Sequence, residues 1–212
     1  MKVYRMRCAL RYLAERGHMK VGYIDQISDT CHVHRRLATF KAASGEFGIQ
    51  TRGDWYSVIE REYITEKNSI QLRTMFGSED RPTALLFSSF LPATTDIVSE
   101  LKSMGLSLPA DVSLIGFDDS PWARCMEPAL TVIEQPLKEM GRRAAERLVE
   151  QINGEGCINQ EVLPVNMVER RSVAIVKAFN GREALGKHPC SLTSEQIKRE
   201  EYGIVQSIMD SL

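Results

Sequence analysis

The sequence predicts an α/β fold, a parallel sheet flanked by helices, and three observations carry that reading. Residues 83–87 and 112–117 are apolar runs of strand length, and residues 93–104 between them place Ile97, Leu101 and Met104 at helical spacing. A strand, a crossover helix and a second strand return the chain to the same end of a sheet, which makes neighbouring strands parallel. Each apolar run ends in small or acidic residues, Ser88-Ser89 in one case and Asp118-Asp119 in the other. Groups so placed fall in the crevice beyond the strand ends, where open α/β sheets hold their ligands.

The remaining elements follow in order. Residues 8–16 carry Ala9, Leu10 and Leu13 on one side and are followed by Gly17, a natural left-handed stop, so a short helix is expected. Residues 19–24 read as a buried strand through Val21, Tyr23 and Ile24, and a helix with the stripe Val33, Leu37 and Phe40 completes a βα unit. Between Trp55 and Gly77 the positions of Ile59, Tyr63, Ile70, Leu72 and Met75 favour helix, with boundaries left open by the charged Glu60-Arg61-Glu62 and Glu66-Lys67. Residues 137–152 form the clearest helix: Leu137, Gly141, Ala144, Ala145, Leu148 and Ile152 share one face, while Lys138, Arg142, Arg143, Glu146 and Glu150 lie opposite. Pro136 suits its first turn and Gly154 its end. Residues 161–173 read as a final strand pair or an extended crossing segment. Within the tail, residues 194–212 carry Ile197, Ile204, Val205, Ile208, Met209 and Leu212 on one helical face, so an amphipathic helix is expected there.

Composition narrows the function. Twenty-seven Lys and Arg against 28 Asp and Glu leave a net charge of −1, without the basic footprint that a phosphate backbone requires. The five cysteines, Cys8, Cys31, Cys125, Cys157 and Cys190, have no CxxC spacing and fit buried reduced thiols better than a disulfide framework or a zinc site. No stretch approaches the roughly 20 apolar residues that span a bilayer. The first residues lack the apolar core of an export signal, so a cytoplasmic location is expected. His32 and His34 diverge around a helix and make a poor metal pair, and no phosphate loop, GxSxG elbow or HExxH occurs. Neither a metal, nor a cofactor, nor an enzymatic activity is therefore expected.

The run from Pro82 to Phe87, continued by Gly105-Leu106-Ser107-Leu108-Pro109-Ala110-Asp111-Val112-Ser113-Leu114-Ile115-Gly116-Phe117-Asp118-Asp119, resembles the effector-sensing domain of the LacI/GalR transcriptional regulators. The likeness extends through Leu130-Thr131-Val132-Ile133-Glu134-Gln135-Pro136 and Met140-Gly141-Arg142-Arg143-Ala144-Ala145. In that family a helix-turn-helix reads DNA, and a two-lobed domain of type I periplasmic-binding-protein-like fold closes over a small effector. The resemblance implies that residues 1–173 are a partial effector domain, mainly its C-terminal lobe, and residues 174–212 a separate tail. It implies a sugar-like effector, a homodimer, and DNA contact only through a module that this chain does not contain. It also implies that the helix at 137–152 would normally cover the sheet of a first lobe, mostly lacking here. Its apolar face then needs another cover, whether the tail or a second copy, or else stays mobile.

Five residues are candidates for effector contact. Arg36 lies beside the Val33, Leu37 and Phe40 stripe, at the crevice edge, and matches the arginine that relatives point at effector oxygens; its planar fork of donors suits vicinal hydroxyls or a carboxylate. Asp118 matches the family's ligand-binding aspartate, an acceptor complementing Arg36, while Asp119 is assigned to turn chemistry. Trp55 falls where some sugar-sensing relatives carry an aromatic platform. Ser89 stands where relatives usually have an asparagine, and Phe90 replaces an acid, which argues against the commonest hexose pattern. Gln135 sits at the crossing of the lobes, able to bond the effector or to cap the following helix. The resemblance thus implies the sensing part of a DNA-binding regulator; the alternatives are a solute-binding protein of a sugar transport system and a truncated remnant that binds nothing.

Overall fold

A computed structural model of the chain describes residues 2–26, 30–60, 63–88, 93–155 and 161–176, with side chains described from Tyr4 to Asp25 and again from Arg36. At its centre is a six-stranded sheet: β1 (Val21–Gln26), β2 (Tyr56–Ile59), β3 (Ala84–Phe87), β4 (Ser113–Phe117), β5 (Thr131–Glu134) and β6 (Asn166–Val168). The order is β2-β1-β3-β4-β5-β6, with the first five strands parallel and β6 antiparallel to β5. The α/β class and parallel sheet expected from the sequence are therefore observed.

Two helical layers cover the sheet. On one face, α1 (Lys2–Glu15) and α2 (Thr30–Glu46) pack with Tyr23, Leu86, Ile115, Phe117 and Ile133. On the other, α3 (Glu66–Phe76) and α4 (Thr94–Ser103) pack with Ile24, Leu85, Phe87, Leu114 and Val132. Burial on both sides explains why β3 and β4 are continuous apolar runs rather than alternating ones. Chain direction reverses between β1, which leads outward to β2, and β3, which leads the other way to β4. This makes the gap between the carboxyl ends of β1 and β3 the topological switch point.

Several elements differ from expectation. Helix α1 begins at Lys2 rather than near Cys8, because Tyr4 and Met6 extend its buried stripe and are 1% and 4% exposed. The stretch from Trp55 is not one helix: Gly53–Trp55 forms a 3-10 turn, β2 follows, and α3 begins only at Glu66. In β2 burial alternates with a period of two, and the start of α3 is fixed by a reciprocal cap in which Asn68 N–H donates to Thr65 Oγ1 and Thr65 N–H to Asn68 Oδ1. A short helix α5 (Pro121–Cys125), not foreseen, starts where Ser120 Oγ accepts from Ala123 N–H and Pro121 takes the first position. Helix α6 (Leu137–Ile152) has the expected bounds, but none of its residues is buried. The described chain ends with Val176 N–H donating to the Arg16 carbonyl, and the tail helix expected over 194–212 lies outside the described residues.

Candidate functional site at the carboxyl edge of the sheet

The strand register sets the geometry of the edge. Ile24 pairs with Phe87, Leu86 with Ile115 and Phe117 with Ile133, so Asp25, Ser88 and Phe117 stand at one level by the carboxyl ends of β1, β3 and β4. Ser88 N–H donates to the Ile24 carbonyl and Asp118 N–H to the Ile133 carbonyl, each at 2.9 Å, which carries the pairing one residue beyond the strands. Neighbouring strands lie about 4.8 Å apart, so Asp25 and Asp118 stand roughly 10 Å from one another along this edge.

Arg36 reaches the edge through a matched register of helix and strand. Phe40 stacks on Tyr23 with ring centroids 4.7 Å apart, and Tyr23 stacks in turn on Tyr56 of β2. Moving two residues up β1 advances about 6.6 Å, and moving four back along α2 about 6 Å. Asp25 and Arg36 therefore meet one layer above the aromatic pair, and Arg36 Nη1 donates to Asp25 Oδ1 at 2.7 Å. Asp25 is fully buried while the Arg36 side chain keeps 18% exposure, so the charged end nearer solvent is the guanidinium. Burial, followed by the nearby Asp25 carboxylate, pushes the Tyr56 phenol up to about 12, and the same causes raise Tyr23 further, leaving both neutral at physiological pH.

A second pair is built on Asp118. This residue turns the chain out of β4 with φ of +69°, a left-handed conformation that Asp tolerates better than most side chains. Its Oδ1 accepts from Arg5 Nη2 at 3.0 Å and from Gln135 Nε2 at 2.8 Å. The Arg5 guanidinium, brought in by the first turn of α1, lies 4.6 Å above the Phe117 ring. Burial pulls Arg5 below its usual range, and the Asp118 carboxylate opposes that shift. Asp118 remains 43% exposed in its side chain, open to a ligand on the solvent side.

Asp119 is held in ion pairs, not in the turn chemistry expected of it, and the cap of α5 falls to Ser120. Asp119 accepts from Arg124 and from Arg170, each at 2.7 Å, and so ties α5 and the segment after β6 to the β4 end. Burial alone would raise its carboxyl, but those two partners hold it below the ordinary carboxylate range.

The structure thus brings Arg36, Asp118 and Gln135 to one sheet edge. Trp55 requires a correction: it is 2% exposed in the core layer with Ile24, Ile59 and Leu72, and Arg52 lies 5.2 Å over its ring. With no open ring face it packs rather than presenting a platform for a sugar. Ser89 and Phe90 lie outside the described residues, as do the side chains of His32 and His34. Among the described residues no group of His, Cys, Asp and Glu is arranged to hold a metal, and no helix is long and apolar enough to cross a membrane.

Sequence reasoning missed Asp25 and Arg5. Asp25 carried a usable signal, since an acid directly after a buried apolar strand repeats the pattern that singled out Asp118. Arg5 carried none, because only the tertiary packing of α1 beside β5 reveals its reach across 113 residues to Asp118.

Comparisons with known proteins agree with this architecture. Residues 10–173 match the family model for the periplasmic binding protein-like domain. The HTH-type transcriptional repressor PurR of Pectobacterium atrosepticum is 34% identical over 166 residues, covering 77% of this chain and 48% of that protein. Its counterpart in Klebsiella pneumoniae is 35% identical over the same shares. Among solved structures, a LacI family transcriptional regulator from Bifidobacterium animalis subsp. lactis superposes with a TM-score of 0.68 at 26% identity, covering 82% of this chain and 62% of that one. The chain spans about half the length of the curated relatives it matches. It belongs to the periplasmic-binding-protein-like domain family, as a fragment of the effector domain of the LacI/GalR regulators.

Proposed function

We propose that the carboxyl edge of the sheet binds a small polyhydroxylated effector, and that this chain is the sensing part of a LacI/GalR-type regulator whose DNA-reading module lies outside it. The observation that carries this is the pair of arginine–carboxylate contacts at one edge, Arg36 with Asp25 and Arg5 with Asp118, flanking the switch point. Arg36 keeps part of its donor fork toward solvent and Asp118 part of its acceptor carboxylate, each with its charge balanced by its partner. A ring bearing vicinal hydroxyls meets both needs, donating to Asp118 and accepting from Arg36 and Gln135.

Signalling by such a site requires only that the effector favour one arrangement of two lobes over the other. The reading is of a binding protein rather than an enzyme, acting in the cytoplasm as a homodimer. A single lobe supplies about half the contacts of a closed site, so the isolated chain should bind weakly. Calorimetry against a panel of mono- and disaccharides tests this directly. A saturable heat with at least one saccharide, weakened about tenfold by Asp118→Asn, is expected, since one good polar contact is worth about 1.4 kcal/mol. Binding indifferent to Asp118→Asn and Arg36→Met alike, or none at any accessible concentration even with a first lobe rebuilt, would overturn it.

A further inference from the structure

The Asp25–Arg36 pair presents its two ends unequally. Asp25 is fully buried beneath the edge, whereas the Arg36 side chain, bonded to it through Nη1 at 2.7 Å, keeps 18% exposure. A ligand at the edge therefore reaches the guanidinium and not the carboxylate. Tyr23 and Tyr56, stacked one layer below, are phenols that burial keeps neutral, so they add no charge of their own. We propose that Asp25 sets the charge class of the effector, an assignment that rests on the effector reading above: it neutralises Arg36 from beneath, so that the edge takes uncharged hydroxylated ligands and turns away phosphorylated or acidic ones.

Without Asp25 this edge would favour anions. Helix α2 begins at Thr30, shortly after β1 ends at Gln26, so its amino end, with the positive partial charge there, lies toward the carboxyl edge. Arg36 adds a full positive charge, and a guanidinium fork matches phosphate or carboxylate oxygens. The buried carboxylate opposes both. An anion docked on the solvent side of Arg36 would lie about 4 Å from the guanidinium charge and about 8 Å from Asp25; Coulomb energy falls as the inverse of distance, so Asp25 cancels about half of the attraction. Burial limits the screening of that repulsion by salt. The anion must also shed its water for a site without net charge, which is costly, whereas a hydroxyl accepts from the Arg36 N–H groups at little loss.

The same balance runs along the rest of the edge. At the end of β4, Arg5 offsets Asp118. Beside it Arg124 and Arg170 share Asp119, and Glu134 at the end of β5 stands near enough to act on Arg124. Gln135, bonded to Asp118, supplies a neutral donor. Together with Arg36 and Asp25, four arginines thus meet four carboxylates around the ends of β1, β4 and β5, and none of these arginines is a surplus cation for a phosphate.

NMR titration of the full 212-residue chain, which reads weak affinities, tests this with inorganic phosphate and with two matched pairs of sugars, glucose against glucuronate and galactose against galacturonate. Asp25→Asn, which keeps the shape of the side chain and removes its charge, should bind inorganic phosphate at least about tenfold more tightly than wild type, and Arg36→Met added to it should abolish the gain. The preference for each sugar over its acid should shift toward the acid by at least about tenfold in Asp25→Asn, a change of selectivity that a merely structural role for Asp25 would not produce. Equal phosphate affinity in wild type and Asp25→Asn would overturn the proposal. Should that variant fail to fold, wild type decides alone: tighter binding of glucuronate than of glucose, or of galacturonate than of galactose, would overturn it, and the reverse order would uphold it. A phosphate gain in Asp25→Asn without binding of any saccharide by either protein would uphold the exclusion of anions by Asp25 while refuting the effector reading.

Discussion

At the scale of single residues, the two arginines of the site are held by the same chemistry in unequal surroundings, and their removal should separate them. Replacing Arg36 by Met leaves Asp25, wholly buried, without its guanidinium partner. Losing charge compensation for a buried carboxylate should cost about 2 kcal/mol. Replacing Arg5 by Met removes a guanidinium that is itself desolvated, and its partner Asp118 is exposed enough to be hydrated instead. A change within about 1 kcal/mol is expected there. Urea denaturation of the two variants checks the contrast, and equal losses would refute the assignment of burial as the deciding factor. Of these four residues, the sequence exposed Arg36 and Asp118 through the family pattern. Asp25 and Arg5 came to light only as their partners in space.

Among the elements, β4 and β5 are joined at their amino ends by a residue from neither. Ser172 Oγ accepts from Thr131 N–H at 2.7 Å and donates to the Leu114 carbonyl at 2.6 Å, and the Ser172 carbonyl accepts from Leu114 N–H. The segment after β6 thereby fills a gap between two parallel strands. Ser172→Ala leaves a buried donor and a buried acceptor with lost partners, so a loss of about 2 kcal/mol in the denaturation midpoint analysis is expected, with the effector edge about 20 Å away unaffected. An affinity change larger than the stability change would argue against so local a role. Residues 161–173 read only as a strand pair or crossing segment, because neither three-residue β6 nor this stitch has a periodic signature.

Across the whole molecule, His18 connects parts distant in sequence and gives stability a pH dependence. Its Nε2–H donates to the Ala174 carbonyl, an obligate acceptor, which leaves Nδ1 to accept from Thr83 Oγ1; both contacts are 2.9 Å. Burial holds its pKa below the ordinary 6.5, with the neighbouring Arg16 acting in the same direction and the Ala174 bond against it. The unfolded chain therefore binds a proton that the folded chain refuses. Stability from this group is complete above pH 6.5 and declines as pH falls from there toward the lower folded-state value. His18→Gln should flatten the melting profile between pH 7.5 and pH 5.5 (about one unit either side of a free imidazole's midpoint) relative to wild type. A histidine variant with the same slope as wild type would remove His18 from the account.

What the sequence determined by itself was the set of elements whose pattern is local: the buried runs of β1, β3 and β4, the stripe of α4, and the bounds of α6. Hydrophobic spacing alone is enough to reveal these, and two strands around one helix imply a parallel sheet. The tertiary structure decided the rest, because it depends on which surfaces meet. Trp55 through Ile59 became a turn and a strand only because the outer edge of β1 was open to pairing. Trp55 turned inward for the same reason, and Asp25 acquired its partner through the register of α2 on β1. The face of α6, apolar by sequence, lies uncovered among the described residues because periodicity marks which side needs burying but not what will bury it.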